Sequence, residues 1–204
     1  MISAIARDLA KYLTTTVEGK PQVMIGPPAE AEAKAADAQP VINLFLFRFE
    51  PSAFYPDAAT VDPIYLRIHC LITAYATVAS STTAGGSAET LGAGEICLRL
   101  LEGIIQAFHE DPVRTVAVVR TNPDGQQQTL QTLLQIILKP LTTEELNQIW
   151  ATQGDVHYRS SLLYEFAVAP ITPWSGRPSA KTVAEDGRVI RVDGSLVNAH
   201  GDVP

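Results

Sequence analysis

The stretch that decides the fold runs from Pro63 to Pro112 and reads PIYLRIHCLITAYATVASSTTAGGSAETLGAGEICLRLLEGIIQAFHEDP. Its first half alternates between apolar and polar residues. This period of two predicts a long strand from Ile64 to Val78 with one buried face, and its length predicts a bulge or an extension beyond the domain. The predicted buried face holds Ile64, Leu66, Ile68, Cys70, Ile72, Ala74, Ala76 and Val78, and the polar face holds Arg67, His69, Thr73 and Thr77.

The second half switches to helical spacing and predicts a helix from Leu91 to Glu110. Its apolar stripe is Cys97, Leu101, Ile104 and Phe108, with Leu100 and Ile105 beside it. Between the two halves, Ala79 to Thr90 is rich in Ser, Thr, Ala and Gly, which predicts a flexible loop. A strand followed by a helix over one block indicates a domain that combines a sheet with packed helices.

The same periodicities extend outward from this block. They predict helices at Ile2–Thr16 and from Thr142, where Glu145 completes a capping box, and strands at Gln22–Gly26, Val41–Phe49, Val113–Arg120, Thr129–Leu138 and Ser161–Ile171. Asn122-Pro123-Asp124-Gly125 predicts the turn of a hairpin. Ala29 to Gln39 has no apolar face and is interpreted as a solvated loop, with one or two helical turns as the alternative.

These elements predict an α+β domain over residues 1–171. Its mixed or antiparallel sheet is flanked by two main helices. From Thr172 onward, Pro and Gly interrupt the chain and apolar residues come in short clusters, so residues 172–204 are predicted to form a C-terminal arm. A small hairpin around Asp193-Gly194 is expected within the arm.

Composition excludes several classes of function. The chain has 204 residues, 46% of them hydrophobic, and a net charge of −7, which argues against binding nucleic acid. No apolar run is long enough to span a membrane, so we expect no direct membrane insertion. The first residues do not resemble a secretory signal, so we expect the protein to be made in the cytoplasm. Cys70 and Cys97 lie on predicted apolar faces and are expected to be buried free thiols.

No residue pattern predicts an active site. His109-Glu110 lacks the second His of a metalloprotease box, and His157 and His200 have no partners at metal-ligand spacing. The glycines before the second helix match neither nucleotide-binding pattern. We therefore expect no catalytic residues, no bound metal and no cofactor, and we interpret His69 as a surface or interface residue. Trp150 is expected in the core.

Four segments together resemble a known family. They are VINLFLFRFEPS (41–52), YLRIHCLITAY (65–75), LGAGEICLRLLEGIIQAFHEDPV (91–113) and SSLLYEFAVAPI (160–171). In order and spacing they resemble the tube-terminator, or cap, proteins of extracellular contractile injection systems, which are phage-tail-like particles such as the antifeeding prophage. The resemblance covers about residues 1–171, and no single segment is diagnostic alone.

The resemblance implies a phage tail-terminator-like fold and a structural role without turnover. It implies a homo-oligomeric ring, of six subunits, at the end of the particle distal to the target membrane. The ring would stop polymerisation of the inner tube and engage the last sheath ring, so the inner tube protein and the sheath protein are the implied partners. It also implies assembly in the cytoplasm followed by incorporation into a particle that can be released from the cell.

Interfaces rather than single residues are the expected functional sites. The candidates are the loop Ala79–Thr90, the segment Pro51–Pro63 and the C-terminal arm, with Phe54, Tyr55, Trp174 and Arg177 as anchors, because aromatic and Arg side chains dominate interface energetics. Two alternatives remain open from the sequence. One is a baseplate or completion subunit of the same kind of particle, and the other is a small-ligand-binding α+β protein or enzyme.

Overall fold

The computed structural model describes residues 2–35, 39–52, 64–77, 79–82, 88–121, 127–154, 156–171, 189–190 and 196–197. The helices in this part of the chain are α1 (Ile2–Thr16), α2 (Pro28–Ala35), α3 (Ala93–Glu110) and α4 (Thr143–Ala151). The strands are β1 (Gln22–Ile25), β2 (Val41–Pro51), β3 (Ile64–Tyr75), β4 (Ala79–Thr82), β5 (Ala88–Leu91), β6 (Val113–Thr121), β7 (Gln127–Lys139), β8 (Ser161–Ile171), β9 (Val189–Ile190) and β10 (Leu196–Val197).

The main sheet has six strands in the order β1-β2-β3-β8-β7-β6. β1 runs parallel to β2, and every other neighbouring pair is antiparallel. The sheet is therefore mixed, and together with the helices it confirms the predicted α+β class. β3 and β8 lie side by side at its centre although about ninety residues separate them in the chain.

Helices α1 and α3 pack on one side of the sheet, which we call the helix face. Every third or fourth residue of α1 is apolar, so Ile5, Leu9 and Leu13 form one stripe and are all buried. They join a single core with the inward residues of α3 and of five strands. That core includes Ile42, Leu44, Ile68, Cys70, Ile72, Leu101, Ile104, Phe108, Val116, Leu134, Tyr164 and Phe166. The predicted boundaries of α1 agree with the structure.

The opposite side of the sheet is the open face, and α2 covers one corner of it. Ala31 and Ala35, four residues apart, pack against Val41 and Tyr75. The interpretation of Ala29–Gln39 as a solvated loop is therefore wrong for residues 29–35. The buried residues of α2 are Pro28 and these two alanines, and such small side chains carry a weak hydrophobic signal but let a helix approach a sheet closely.

The central strand β3 differs from its prediction in two ways. It ends at Tyr75 rather than Val78, and its second half is buried on both faces, because Leu71, Thr73 and Tyr75 are buried along with the predicted apolar positions. A central strand that is covered on both of its faces has no solvent-exposed side. In the first half of β3 the predicted buried face holds for Ile68 and in part for Leu66, whereas Ile64, also predicted on that face, is 59% exposed.

Two β-bulges interrupt the centre of the sheet. The β2–β3 register shifts between Leu46 and Arg48, which leaves Phe47 as the extra residue. The β3–β8 register shifts between Leu66 and Ile68, where β8 supplies the extra residue. The bulge predicted for the long strand therefore lies on its two neighbours. Bulges bend strands and increase twist, so they change the direction in which the sheet continues.

Several local predictions are confirmed and two need correction. Thr142 Oγ1 accepts from the Glu145 amide at 3.2 Å, and Glu145 Oε2 accepts from the Thr142 amide at 3.0 Å, so α4 begins with the predicted capping box. The backbone of the expected arm hairpin pairs as β9 and β10. Ala79–Thr90 is not simply a loop, because β4 and β5 pair there. Both cysteines are free, but only Cys70 is fully buried.

Candidate interaction surfaces

One end of the sheet, which we call the long end, extends past the two bulges. In register, Pro51 lies opposite Leu66, and Ile64 lies opposite Ile171, so β2, β3 and β8 reach this end together. β7 pairs with β8 only over residues 135–139, whereas it pairs with β6 back to Gln127. Residues 114–121 and 127–134 therefore continue toward the long end as a two-stranded ribbon. Residues 53–63 follow β2 in the chain and the expected arm follows β8, and both of these strands finish at this end.

The β4–β5 hairpin follows the opposite end of β3. Ala79 pairs with Leu91 and Thr82 pairs with Ala88, immediately before α3 begins. The three segments predicted as interfaces are thus divided between the two ends of the sheet: Pro51–Pro63 and the arm begin at the long end, and Ala79–Thr90 at the other. The predicted anchors Phe54, Tyr55, Trp174 and Arg177 lie outside the described residues.

A row of charged side chains crosses the open face. Arg48 of β2 lies opposite His69 of β3, and His69 lies opposite Glu165 of β8. His69 Nε2 is 3.2 Å from Glu50 Oε2, and Arg48 forms an ion pair with the same Glu50 carboxylate. The hydrogen bond from His69 is the main cause that holds the pKa of Glu50 below its ordinary value. His69 therefore belongs to a charged network within this sheet.

Glu165 is the buried member of this row. Its side chain is only 7% exposed, with Lys139 Nζ at 3.5 Å and Arg67 Nε at 3.9 Å. Both cations keep much of their surface in water, and Arg48 does too. The alternation of β3 predicts Arg67 and His69 on one polar face, but it does not predict the network. Its members come from four strands, so no local spacing reveals it.

Beside this row, the open face of β6 and β7 is apolar and exposed. Val113, Val119, Leu133 and Ile137 point to this side, because their neighbours Val116, Val118, Leu134 and Ile136 are buried on the helix face. Leu133 is 61% exposed and Ile137 is 38% exposed. We call Leu133, Ile137, Arg67 and Lys139 the sheet surface. It combines large apolar groups with cationic side chains.

The outer side of α3 is a second exposed surface, on the other side of the molecule. Glu95, Leu98, Glu102 and Ile105 follow one another at spacings of three and four residues, which places them on one stripe. Leu98 is 60% exposed and Ile105 is 39% exposed, so Ile105, which was placed beside the apolar stripe, lies on the outer side of the helix. We call these four residues, with Glu18 and Glu110, the helix surface.

A groove adjoins the helix surface. Its volume is about 410 Å³, and it lies where the end of α1 meets α3. Carboxylates predominate along it, because Glu18, Glu102 and Glu110 line it together with a single cation, Arg99, which pairs with Glu95 at 2.7 Å. The groove offers negative charge to a partner and lacks the enclosed apolar lining that is typical of small-molecule sites.

The described residues contain no group of three or more His, Cys, Asp or Glu side chains placed to hold a metal ion. His157 is 85% exposed and lies 3.8 Å from Glu32, whereas His200 lies outside the described part of the chain. Among the helices described, none is both long and apolar enough to cross a membrane. Trp150 is buried, as expected.

The structure is thus that of an α+β protein with a mixed sheet, strands that extend at one end and two exposed surfaces of unlike charge. The chain belongs to the family of the Pvc16 N-terminal domain, whose model matches residues 1–185. Pvc16 is a protein of phage-tail-like virulence particles, so the chain is a member of a contractile injection system family. No curated protein matches it.

Proposed function

We propose that this protein is the structural cap of a contractile injection system. In this role the subunits form a ring, and the resemblance implies six of them. The ring terminates the inner tube at the end distal to the target membrane and engages the last sheath ring. The role requires binding surfaces and no turnover. The family match over residues 1–185 is the observation that carries the proposal.

The arrangement of the strand ends supports a role between two layers of a particle. Ile64, Ile171 and the β6–β7 ribbon reach one end of the sheet, and the β4–β5 hairpin follows the other. A subunit that joins a tube to a sheath ring needs contacts at separate places, and a cyclic ring needs two unlike faces in addition. A Pro- and Gly-rich arm suits edge addition to a neighbouring strand.

The same family permits a second position, as a baseplate or completion subunit. The two positions differ in where the protein lies on the particle. Gold-labelled antibody against the protein should decorate the particle end distal to the baseplate, and label at the baseplate would contradict the cap function. Deleting the gene should yield tubes of irregular, excessive length, whereas loss of a baseplate subunit should prevent tubes from starting.

Purified protein offers a direct test of the ring. We expect the mass from light scattering and the negative-stain images to show a closed ring of about six subunits, either alone or after addition of purified inner tubes. A chain that remains monomeric and fails to bind tube ends would overturn the proposal. A small-ligand protein or enzyme would then be the remaining alternative.

A further inference from the structure

We propose that the helix surface of one subunit docks on the sheet surface of the next, so that the ring closes through a head-to-tail contact between copies of this chain. The inference rests on the proposed function, because it names the faces that a ring would use. The two surfaces are Glu18, Glu95, Leu98, Glu102, Ile105 and Glu110 on one side, and Arg67, Leu133, Ile137 and Lys139 on the other.

Charge is the first observation that pairs the two surfaces. The helix surface has four carboxylates, and among the side chains that line its groove the cation is Arg99, which pairs with Glu95. On the sheet surface the cations Arg67 and Lys139 share one carboxylate, Glu165, which is itself buried. The exposed charged groups of the sheet surface are therefore both cationic, on a chain whose net charge is −7. Complementary potentials favour this pairing and disfavour helix surface against helix surface.

Exposed apolar area is the second observation. Leu98 and Leu133 are 60% and 61% exposed, and each has a second apolar side chain nearby on the same surface, Ile105 or Ile137. Both pairs are bordered by charged groups. An apolar centre with a polar rim is the common anatomy of protein interfaces, and contiguous exposed apolar residues mark interaction sites. The adjacent groove has room for the end of a Lys or Arg side chain.

Geometry is the third observation. α3 packs against the helix face, so its outer stripe points away from the sheet on that side, whereas Leu133 and Ile137 point away on the open face. The two surfaces therefore lie on opposite sides of the subunit and cannot meet within one chain. A contact between unlike faces is heterologous, and it repeats from subunit to subunit until the rotation closes a ring.

Two single variants test the contact. Leu98→Lys disables the helix surface and leaves the sheet surface intact, and Leu133→Glu does the reverse, because each new charge has the same sign as the surface that it faces. We expect each variant alone to self-associate roughly tenfold more weakly or worse, because each buries a charge in an apolar centre. Ile25→Lys is the matched control: Ile25 is 42% exposed on the edge strand β1, outside both surfaces, and this variant should form the wild-type ring.

Mixing the two variants gives the decisive readout, measured by sedimentation at equal concentrations. Each variant retains the surface that the other has lost, so an equimolar mixture should form a heterodimer that cannot grow further. The heterodimer also demonstrates that both variants fold. If Leu98→Lys or Leu133→Glu keeps the wild-type ring, or if the mixture stays monomeric, the head-to-tail contact is overturned while the cap function stands. If the wild type forms no ring in solution or on purified tubes, the cap function itself fails.

Discussion

Lys139 Nζ lies 3.5 Å from Oε2 of Glu165, a carboxylate whose side chain is only 7% exposed. Arg67 approaches the other oxygen from the opposite neighbouring strand, with its Nε at 3.9 Å. The charge of Glu165 is thus held between β3 and β7. A buried carboxylate is tolerated because these cations offset its loss of hydration, so removing them should be costly.

We expect the double variant Arg67→Ala/Lys139→Ala to lower the free energy of unfolding by roughly 2–4 kcal/mol at neutral pH, the lower end reflecting the partial exposure of both cations. Adding Glu165→Gln in the same background removes the uncompensated charge and should restore part of the loss. Urea denaturation measures all three proteins. An equal loss with and without Glu165→Gln would contradict this account.

Phe108 is the aromatic centre of the core. Its ring centroid lies 4.9 Å from that of Tyr164 and 6.1 Å from those of Tyr12 and Phe166. Because α3 and the sheet meet here, Phe108→Ala leaves a cavity that neighbours cannot fill and should lower the free energy of unfolding by about 3–5 kcal/mol. Ile25→Ala at an exposed position should change it by no more than about 0.5 kcal/mol. Comparable losses in both variants would rule out this packing.

The capping box makes a narrower prediction about α4. Thr142→Ala removes the acceptor for the Glu145 amide and should lower the free energy of unfolding by about 1 kcal/mol. Thr142→Ser keeps a hydroxyl in place and should cost much less. Thermal unfolding followed by circular dichroism distinguishes the two, and equal effects of Ala and Ser would contradict a capping role.

Acid should weaken the fold through Glu50. The hydrogen bond from His69 lowers the pKa of this carboxyl in the folded state, so its contribution is present above the ordinary pKa and is lost as the pH falls through the lowered pKa. In Glu50→Gln this position no longer titrates. From about pH 6 to about pH 3 the stability of the variant should therefore fall less steeply than that of the wild type. Parallel curves from urea denaturation would contradict the prediction.

The two thiols should differ in reactivity. Burial raises the pKa of Cys70 and, to a smaller extent, that of the half-buried Cys97, because both thiolates lose hydration. In the native protein a thiol reagent at mildly alkaline pH should label Cys97 slowly and leave Cys70 unlabelled until denaturant is added. Cys97→Ser should abolish native-state labelling. Rapid labelling of Cys70 would show that the centre of the sheet opens readily.

Elements with strong periodicity were predictable from the sequence. α1 combines a wide apolar stripe with charges on its other side, and its observed bounds match the prediction. The β6–β7 pairing and the capping box of α4 were equally readable, because each depends on residues close together in the chain. The order of strands in the sheet was not predictable from the sequence, since the β3–β8 contact joins distant segments.

The candidate surfaces were only partly predictable. The charged row on the open face draws Arg48, His69, Glu165 and Lys139 from separate strands, so its register had to be known first. Helix α2 was missed because Ala31 and Ala35 carry little hydrophobic signal. Ile105 was placed beside the apolar stripe, although a one-residue offset from Ile104 rotates it outward by about 100°. Leu98 and Ile105 share a face with Glu95 and Glu102, and that spacing was available in the sequence.

The pairing of β3 with β8 has a consequence for how the subunit is made. During translation, the middle of the sheet lacks its central neighbour until residues 161–171 have left the ribosome. The backbone of Ile68, Cys70 and Ile72 therefore lacks its β8 partners until those residues emerge, and such late pairing of distant segments slows folding. An incomplete chain accordingly lacks the assembled sheet on which every surface described above depends.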